Sequence, residues 1–156
     1  MKIAIGTDHG GYHLKAGLIH QIKSAGYQVI DEGTFSSGPC DYPEIGARVA
    51  KAVSSGKVQR GLLLCKSGAG MAIVANKFPR VRAAVCHTAA LAKHTREHND
   101  SNVLVIAAAH ASSSKAKAIV LVWLKTPFGG GRHGRRIRQI ERIEREILCR
   151  RNIPPC

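Results

Sequence analysis

The sequence predicts an α/β protein built on a mostly parallel five-stranded sheet. Three observations predict it. Short aliphatic runs recur without polar alternation, as in strands buried on both faces. Segments with helical spacing separate them, the pattern of a parallel sheet with crossover helices. The composition, 44% hydrophobic and 22% charged over 156 residues, is that of one ordinary globular domain and not of a disordered chain.

The elements follow in order. Strands are expected at Lys2–Gly6, Tyr27–Asp31, Gly61–Cys65, Arg82–Val85 and Asn102–Ile106. Helices are expected at His13–Ala25, Pro43–Ser54, Met71–Asn76, Thr88–Glu97 and Ser113–Leu124. Thr126-Pro127-Phe128-Gly129-Gly130-Gly131 breaks the pattern. A last amphipathic helix is expected from about Arg135 to Leu148, because Ile137, Ile140, Ile143 and Ile147 share one face. Glu141 to Arg145 and Glu146 to Arg150 have the spacing of favourable pairs on it. The domain is thus expected to span 1–148, with 149–156 as a C-terminal extension in which Pro154-Pro155 ends regular structure.

Charge is the unusual feature. Lys and Arg number 24 against 10 Asp and Glu, a formal net charge of +14. Residues 125–156 carry +6 of it and are about three times denser in net charge than the rest. An anionic partner is implied: a nucleic acid, an anionic membrane surface or a phosphorylated small molecule. Aromatic residues are only 4%, and none follows Phe128, so the stacking platform of a nucleic-acid binder is missing from the basic tail. No apolar run has the length of a membrane span, and the apolar start at Met1–Ile5 breaks too soon for a signal peptide. Five dispersed cysteines without a CxxC pair indicate neither a disulfide framework nor a zinc site. A cytoplasmic location is expected.

Ligands of such sheets bind outside the carboxyl ends of the strands. Three loops are read as lying there: Gly6-Thr7-Asp8-His9-Gly10-Gly11, Cys65-Lys66-Ser67-Gly68-Ala69-Gly70 and His98-Asn99-Asp100-Ser101-Asn102. Asp8-His9 sets a carboxylate beside an imidazole, a proton-transfer pair; Asp8 could equally cap the next helix. In the second loop, glycines allow close backbone approach, and a helix N-terminus suits a phosphate or an enediolate. A thiolate placed there can act as base or nucleophile, though Cys65 could also be a buried structural residue at a strand end. His98-Asn99-Asp100 has the residues of a helix stop. Arg132, His133 and Arg136 are three cations within five residues, a phosphate site or a solvated helix face. His13, His20, His87, His94 and His110 have no ligand spacing with a carboxylate or thiol and are assigned to surface or core.

Taken together, Gly6-Thr7-Asp8-His9, Asp41-Tyr42-Pro43, Cys65 to Gly70, Ala75-Asn76-Lys77, His98 to Leu104 and Gly130-Gly131-Arg132-His133 resemble type B ribose-5-phosphate isomerase. That family includes the galactose-6-phosphate isomerase subunits. The blocks keep the family's order over about residues 1–148. The resemblance implies a three-layer αβα Rossmann-like fold and a homodimer, sometimes a dimer of dimers, with active sites shared between subunits. It implies aldose–ketose isomerisation of ribose 5-phosphate and ribulose 5-phosphate through a cis-enediolate, with no metal or organic cofactor and no nucleic-acid or membrane partner. By resemblance Cys65 is the base, and the backbone amides from Ser67 through Gly68 and Ala69 to Gly70 form the anion hole. The Ser67 hydroxyl holds a substrate oxygen, and His98 with Asp8 opens the furanose ring. Asn99 and Tyr42 contact sugar hydroxyls, while His9, Arg132 and Arg136, with His133 close by, bind the phosphate. Met71 stands where one branch of the family has a Glu base, so the chain fits the Cys-base branch.

Two positions depart from the family. Lys66 stands where Gly is usual, which would be strained if that position has a positive φ. Ala109, followed by His110, stands where an Arg usually contributes to the phosphate site. They leave open a hexose or tetrose phosphate substrate, or a catalytically impaired relative with a binding role.

Overall fold

A computed structural model of the chain describes residues 1–150. It contains five strands: β1 (Lys2–Thr7), β2 (Gln28–Asp31), β3 (Arg60–Cys65), β4 (Ala83–Val85) and β5 (Val103–Ala107). Six helices connect and follow them: α1 (Tyr12–Ser24), α2 (Tyr42–Ser54), α3 (Ala69–Ala75), α4 (Ala89–Asn99), α5 (Ser113–Lys125) and α6 (Gly131–Arg150). A 3₁₀ turn, Ala108–His110, follows β5.

The sheet order is β2-β1-β3-β5-β4, and every neighbouring pair is parallel. The predicted runs are all strands: β1, β3 and β5 are buried on both faces, whereas the edge strands β2 and β4 are only partly buried. Ile3, Ile5, Leu62, Leu64, Leu104 and Ile106 pack under α1, α4 and α5, with Leu18, Ile119 and Trp123 fully buried among them. Ala4, Leu63, Cys65, Val103 and Val105 point the other way, onto Ile45, Val49 and Val53 of α2 and Met71 of α3. The result is the expected three-layer αβα architecture. Each fully buried aliphatic side chain contributes about 1.5–3 kcal/mol.

Crossover α1 lies on one face and α2 on the other, so the chain leaves β1 in one direction and returns beside it as β3. That reversal opens a crevice at the carboxyl ends of β1 and β3. Their loops meet there: Asp8 N donates to Leu64 O at 3.2 Å.

The last helix begins at Gly131, four residues before the expected start. Gly130 and Gly131 have φ of 64° and 50°, a bend open to glycine, and the His133 and Gly134 amides already donate to Gly130 O. These glycines turn the chain into α6 as well as interrupting it. Only Ile137 of α6 is buried; Ile140, Ile143 and Ile147 are about half exposed. The ion pair formed on α6 is Arg142–Glu146, at 3.6 Å, and not the two expected pairs. Glu144, outside both expected pairs, accepts from the Arg80 amide and ties α6 to the loop before β4. Of the expected extension 149–156, residues 151–156 lie outside the described residues.

Candidate active site

The first loop is built around Asp8. Its Oδ1 accepts from the Gly10 and Gly11 amides at 2.9 and 3.2 Å, and its side chain is nearly buried. Gly11, not Asp8, is the N-cap of α1. Asp8 closes the turn before the helix and does not cap it. Its Oδ2 makes no hydrogen bond among the described residues. His9, next to it, is exposed.

Cys65 ends β3 and is buried, with 5% of the residue exposed. The Gly68 amide donates to Sγ at 3.0 Å. Gly68 reaches this position with φ 82°, a conformation that side chains resist. An N–H aimed at the sulfur puts a positive dipole on the atom that carries the charge of a thiolate. The Ser67 Oγ accepts weakly from the Ala69 amide at 3.4 Å. The Ser67 and Gly70 amides make no protein hydrogen bond among the described residues, so they are the donors open to an anion. The Gly68 amide is already engaged by sulfur.

Three side chains frame this loop. The Tyr42 ring, at the start of α2, covers Gly70 closely: a Cβ there would meet ring carbons at 2.6 Å. Met71 is fully buried under α2. Lys66 is exposed, and its carbonyl accepts from the Ala109 amide at 3.1 Å. Among the described residues, the non-glycine positions with positive φ are Arg80 and Asp100. Lys66 therefore carries no such strain.

A second cluster forms where α4 ends and α6 begins. Asp100, with φ 45°, stops α4, and its carboxylate accepts from Arg96 and Arg82 at 2.7 Å each. The expected helix stop is therefore present. Gly129 N donates to Glu97 O at 2.9 Å, which draws the start of α6 onto the end of α4. The His98 ring stacks on His133, with centroids 4.1 Å apart and planes 11° from parallel. On its other side His94 Nε2 lies 3.1 Å from His98 Nδ1. Asn99 is exposed beside it and lines an open cleft of about 410 Å³ with Asn76, Ala84 and Ile140. Arg132 and Arg136 are exposed on the first turns of α6. Loss of hydration and then the nearby His98, Arg132, Arg136 and His94 push the His133 imidazole below its usual range.

The two clusters are not adjacent within one chain. Cys65 pairs in register with Ala107 at the carboxyl end of β5, whereas His98 precedes the amino end of that strand. The expectation that 98–102 lies at the carboxyl ends is therefore corrected: a loop that enters a strand sits at its amino end. The length of β5 separates them, about 13 Å. Asp8, His9, Tyr42, Cys65, Ser67, Gly68, Ala69 and Gly70 belong to one cluster; His98, Asn99, Arg132, His133 and Arg136 belong to the other. Two features were not read from the sequence as site components, the Arg82–Asp100–Arg96 clamp and His94. The i,i+4 spacing of His94 and His98 was the available signal for the latter.

Known proteins give a consistent comparison. Residues 3–140 match the family described as Ribose/Galactose Isomerase. The Escherichia coli ribose-5-phosphate isomerase B is 43% identical over 143 residues, covering 92% of this chain and 96% of that protein. The structure of the Clostridium thermocellum ribose-5-phosphate isomerase B superposes with TM-score 0.91 at 46% identity, covering 94% of this chain and 99% of that one. A ribose-5-phosphate isomerase B structure from Mycoplasma genitalium, with bound ribulose-5-phosphate, superposes with TM-score 0.90 at 35% identity, covering 93% and 97%.

Proposed function

The chain belongs to the ribose/galactose isomerase family, and from that footing we propose that it interconverts ribose 5-phosphate and ribulose 5-phosphate, as one domain over 1–148. The observation that carries the reading is Cys65 at the head of β3, its sulfur facing an amide donor in the switch-point crevice.

Moving a proton between adjacent carbons needs a base and a place for the enediolate charge. Cys65, as thiolate, takes the C2 proton of the open aldose. The C2–H electron pair forms the C1–C2 double bond, and the carbonyl pair moves to O1. The Ser67 and Gly70 amides and the Ser67 hydroxyl receive that oxyanion. The O2 hydroxyl proton passes to O1, the O2 pair forms the C2 carbonyl, and the C1–C2 double-bond pair takes the proton back from Cys65 at C1, which gives the ketose. The thiolate is regenerated, so no redox change occurs and no cofactor enters the reading.

His98 with Asp8 opens the furanose ring first. Asn99 and Tyr42 orient sugar hydroxyls, and His9, His133, Arg132 and Arg136 take the phosphate. The separation of the two clusters favours a site shared between two copies of the chain, with Cys65 of one facing His98 of the other. A homodimer, or a dimer of such dimers, is the proposed assembly, and the cytoplasm the proposed compartment.

The test is turnover. Purified protein should isomerise ribose 5-phosphate, and Cys65→Ala should abolish this without lowering the melting temperature by more than a few degrees. Wild-type protein inactive on every pentose, hexose and tetrose phosphate would sink the enzyme reading.

A further inference from the structure

Helix α4 carries His94 and His98 four residues apart, hence on one face. Their rings are 3.9 Å apart at centroids and tilted by 58°, with His94 Nε2 and His98 Nδ1 at hydrogen-bond distance, 3.1 Å. His133 presents its face to His98 and makes no hydrogen bond with it among the described residues. Among the described residues no group of three or more His, Cys, Asp or Glu is arranged to hold a metal ion, so the trio stacks and does not converge on a cation. Of the two His98 nitrogens, Nδ1 is therefore engaged and Nε2 remains.

We propose that His94 is a positioning residue for ring opening: its Nε2 accepts a hydrogen bond from His98 Nδ1–H and so reserves His98 Nε2 for the sugar. The proposal rests on the reading of His98 as the ring-opening group. The chemistry explains why the choice of nitrogen matters. In ring opening the anomeric hydroxyl gives its proton to Asp8, and the freed pair forms the C1 carbonyl. The bond from C1 to the ring oxygen breaks, and that oxygen takes a proton from His98 Nε2. His98 can give this proton without becoming an anion only if Nδ1 keeps its own. Nδ1–H then needs an acceptor before and after transfer, and the Nε2 lone pair of a neutral His94 serves in both states. The His133 stack fixes the plane of the ring; the His94 bond fixes which edge faces outward.

Ring opening can be read alone in a Cys65→Ala protein, where the C2 proton cannot move. The measurement is exchange between the α and β furanose anomers of ribose 5-phosphate by NMR. Cys65→Ala should accelerate this exchange over buffer, and adding His98→Ala should remove the acceleration. Adding His94→Leu should lower it about tenfold through lost orientation. His94→Gln, whose amide oxygen can accept from the same nitrogen, should restore most of it. Nitrogen-15 NMR should show His98 protonated at Nδ1, and a tautomer mixture in His94→Leu. His94 is exposed, so melting temperature should not move. If His94→Leu leaves exchange rate and tautomer unchanged while His98→Ala still abolishes exchange, the proposal is overturned and the ring-opening reading survives. If Cys65→Ala gives no acceleration at all, the ring-opening reading fails and takes the proposal with it.

Discussion

The Tyr42 ring lies directly against the backbone of Gly70, so close that a methyl group on Gly70 would come within 2.6 Å of the ring carbons. The contact binds the start of α2 to the amide proposed to receive the enediolate. Gly70→Ala must displace one or the other. A displacement of about 1 Å near reacting atoms costs about 100-fold in rate. Steady-state kinetics of Gly70→Ala should show a kcat/KM loss of that size, partly recovered by adding Tyr42→Ala. A normal kcat/KM in Gly70→Ala would mean that the amide at this position does not serve the reaction.

Asp100 holds two arginines and a left-handed backbone at once. Arg96 is nearly buried, so removing its carboxylate partner leaves a poorly hydrated cation. Asp100→Ala also keeps the strained φ. Together these should cost about 2–4 kcal/mol in chemical denaturation. Asp100→Asn, which tolerates φ of 45°, should cost less. Equal stability of wild type and Asp100→Ala would remove the clamp from the account of how His98 and Asn99 are held.

The φ of Lys66 is not positive, so replacing it by glycine relieves no such strain. Lys66→Gly should lower stability by about 0.5–1 kcal/mol, through the greater freedom of the unfolded chain. Loss of the ammonium should also raise KM for an anionic sugar, more at low ionic strength than at high. A stabilised Lys66→Gly protein would show that the position is strained after all.

The His133 imidazole should titrate below its ordinary value of 6.5, because dehydration and neighbouring cations oppose its protonation. The sign for stability follows. Just below pH 6.5 the unfolded chain binds more protons at this residue than the folded one, so acidification through that window destabilises the fold. Ring-proton NMR titration measures the midpoint. Arg136→Gln should raise it, and should also raise KM for the sugar phosphate if Arg136 binds the phosphate. A wild-type midpoint at or above 6.5 would contradict the crowding of cations at the start of α6.

Much of the fold was legible because burial on two faces leaves a plain signature. Leu62, Leu63 and Leu64 could be placed in a central strand without any partner being known. The start of α6 was misplaced because Gly130 and Gly131 interrupt helices in general and here bend the chain into one. On α6 Glu146 pairs back to Arg142 and not forward to Arg150, and both partners have the same four-residue spacing, so spacing alone does not choose between them. At the site, the Gly-rich loop after β3 was legible from its residues. Its division of labour was not: that the Gly68 amide turns to Cys65 Sγ depends on a left-handed φ. His98 lies at the other edge of the sheet because its loop enters β5 and does not leave it, a distinction that the order of motifs along the chain does not carry. His94 meets another imidazole, that of His98, a contact that spacing to thiols and carboxylates does not disclose.

The separation of the Cys65 and His98 clusters by the length of β5 makes concentration a condition of the proposed catalysis. One copy, however well folded, would hold a base with no ring opener and a ring opener with no base. On dilution, turnover per chain should therefore fall while circular dichroism stays constant. Mixing an inactive Cys65→Ala protein with an inactive His98→Ala protein should restore activity, because half of the shared sites in a mixed dimer would be whole.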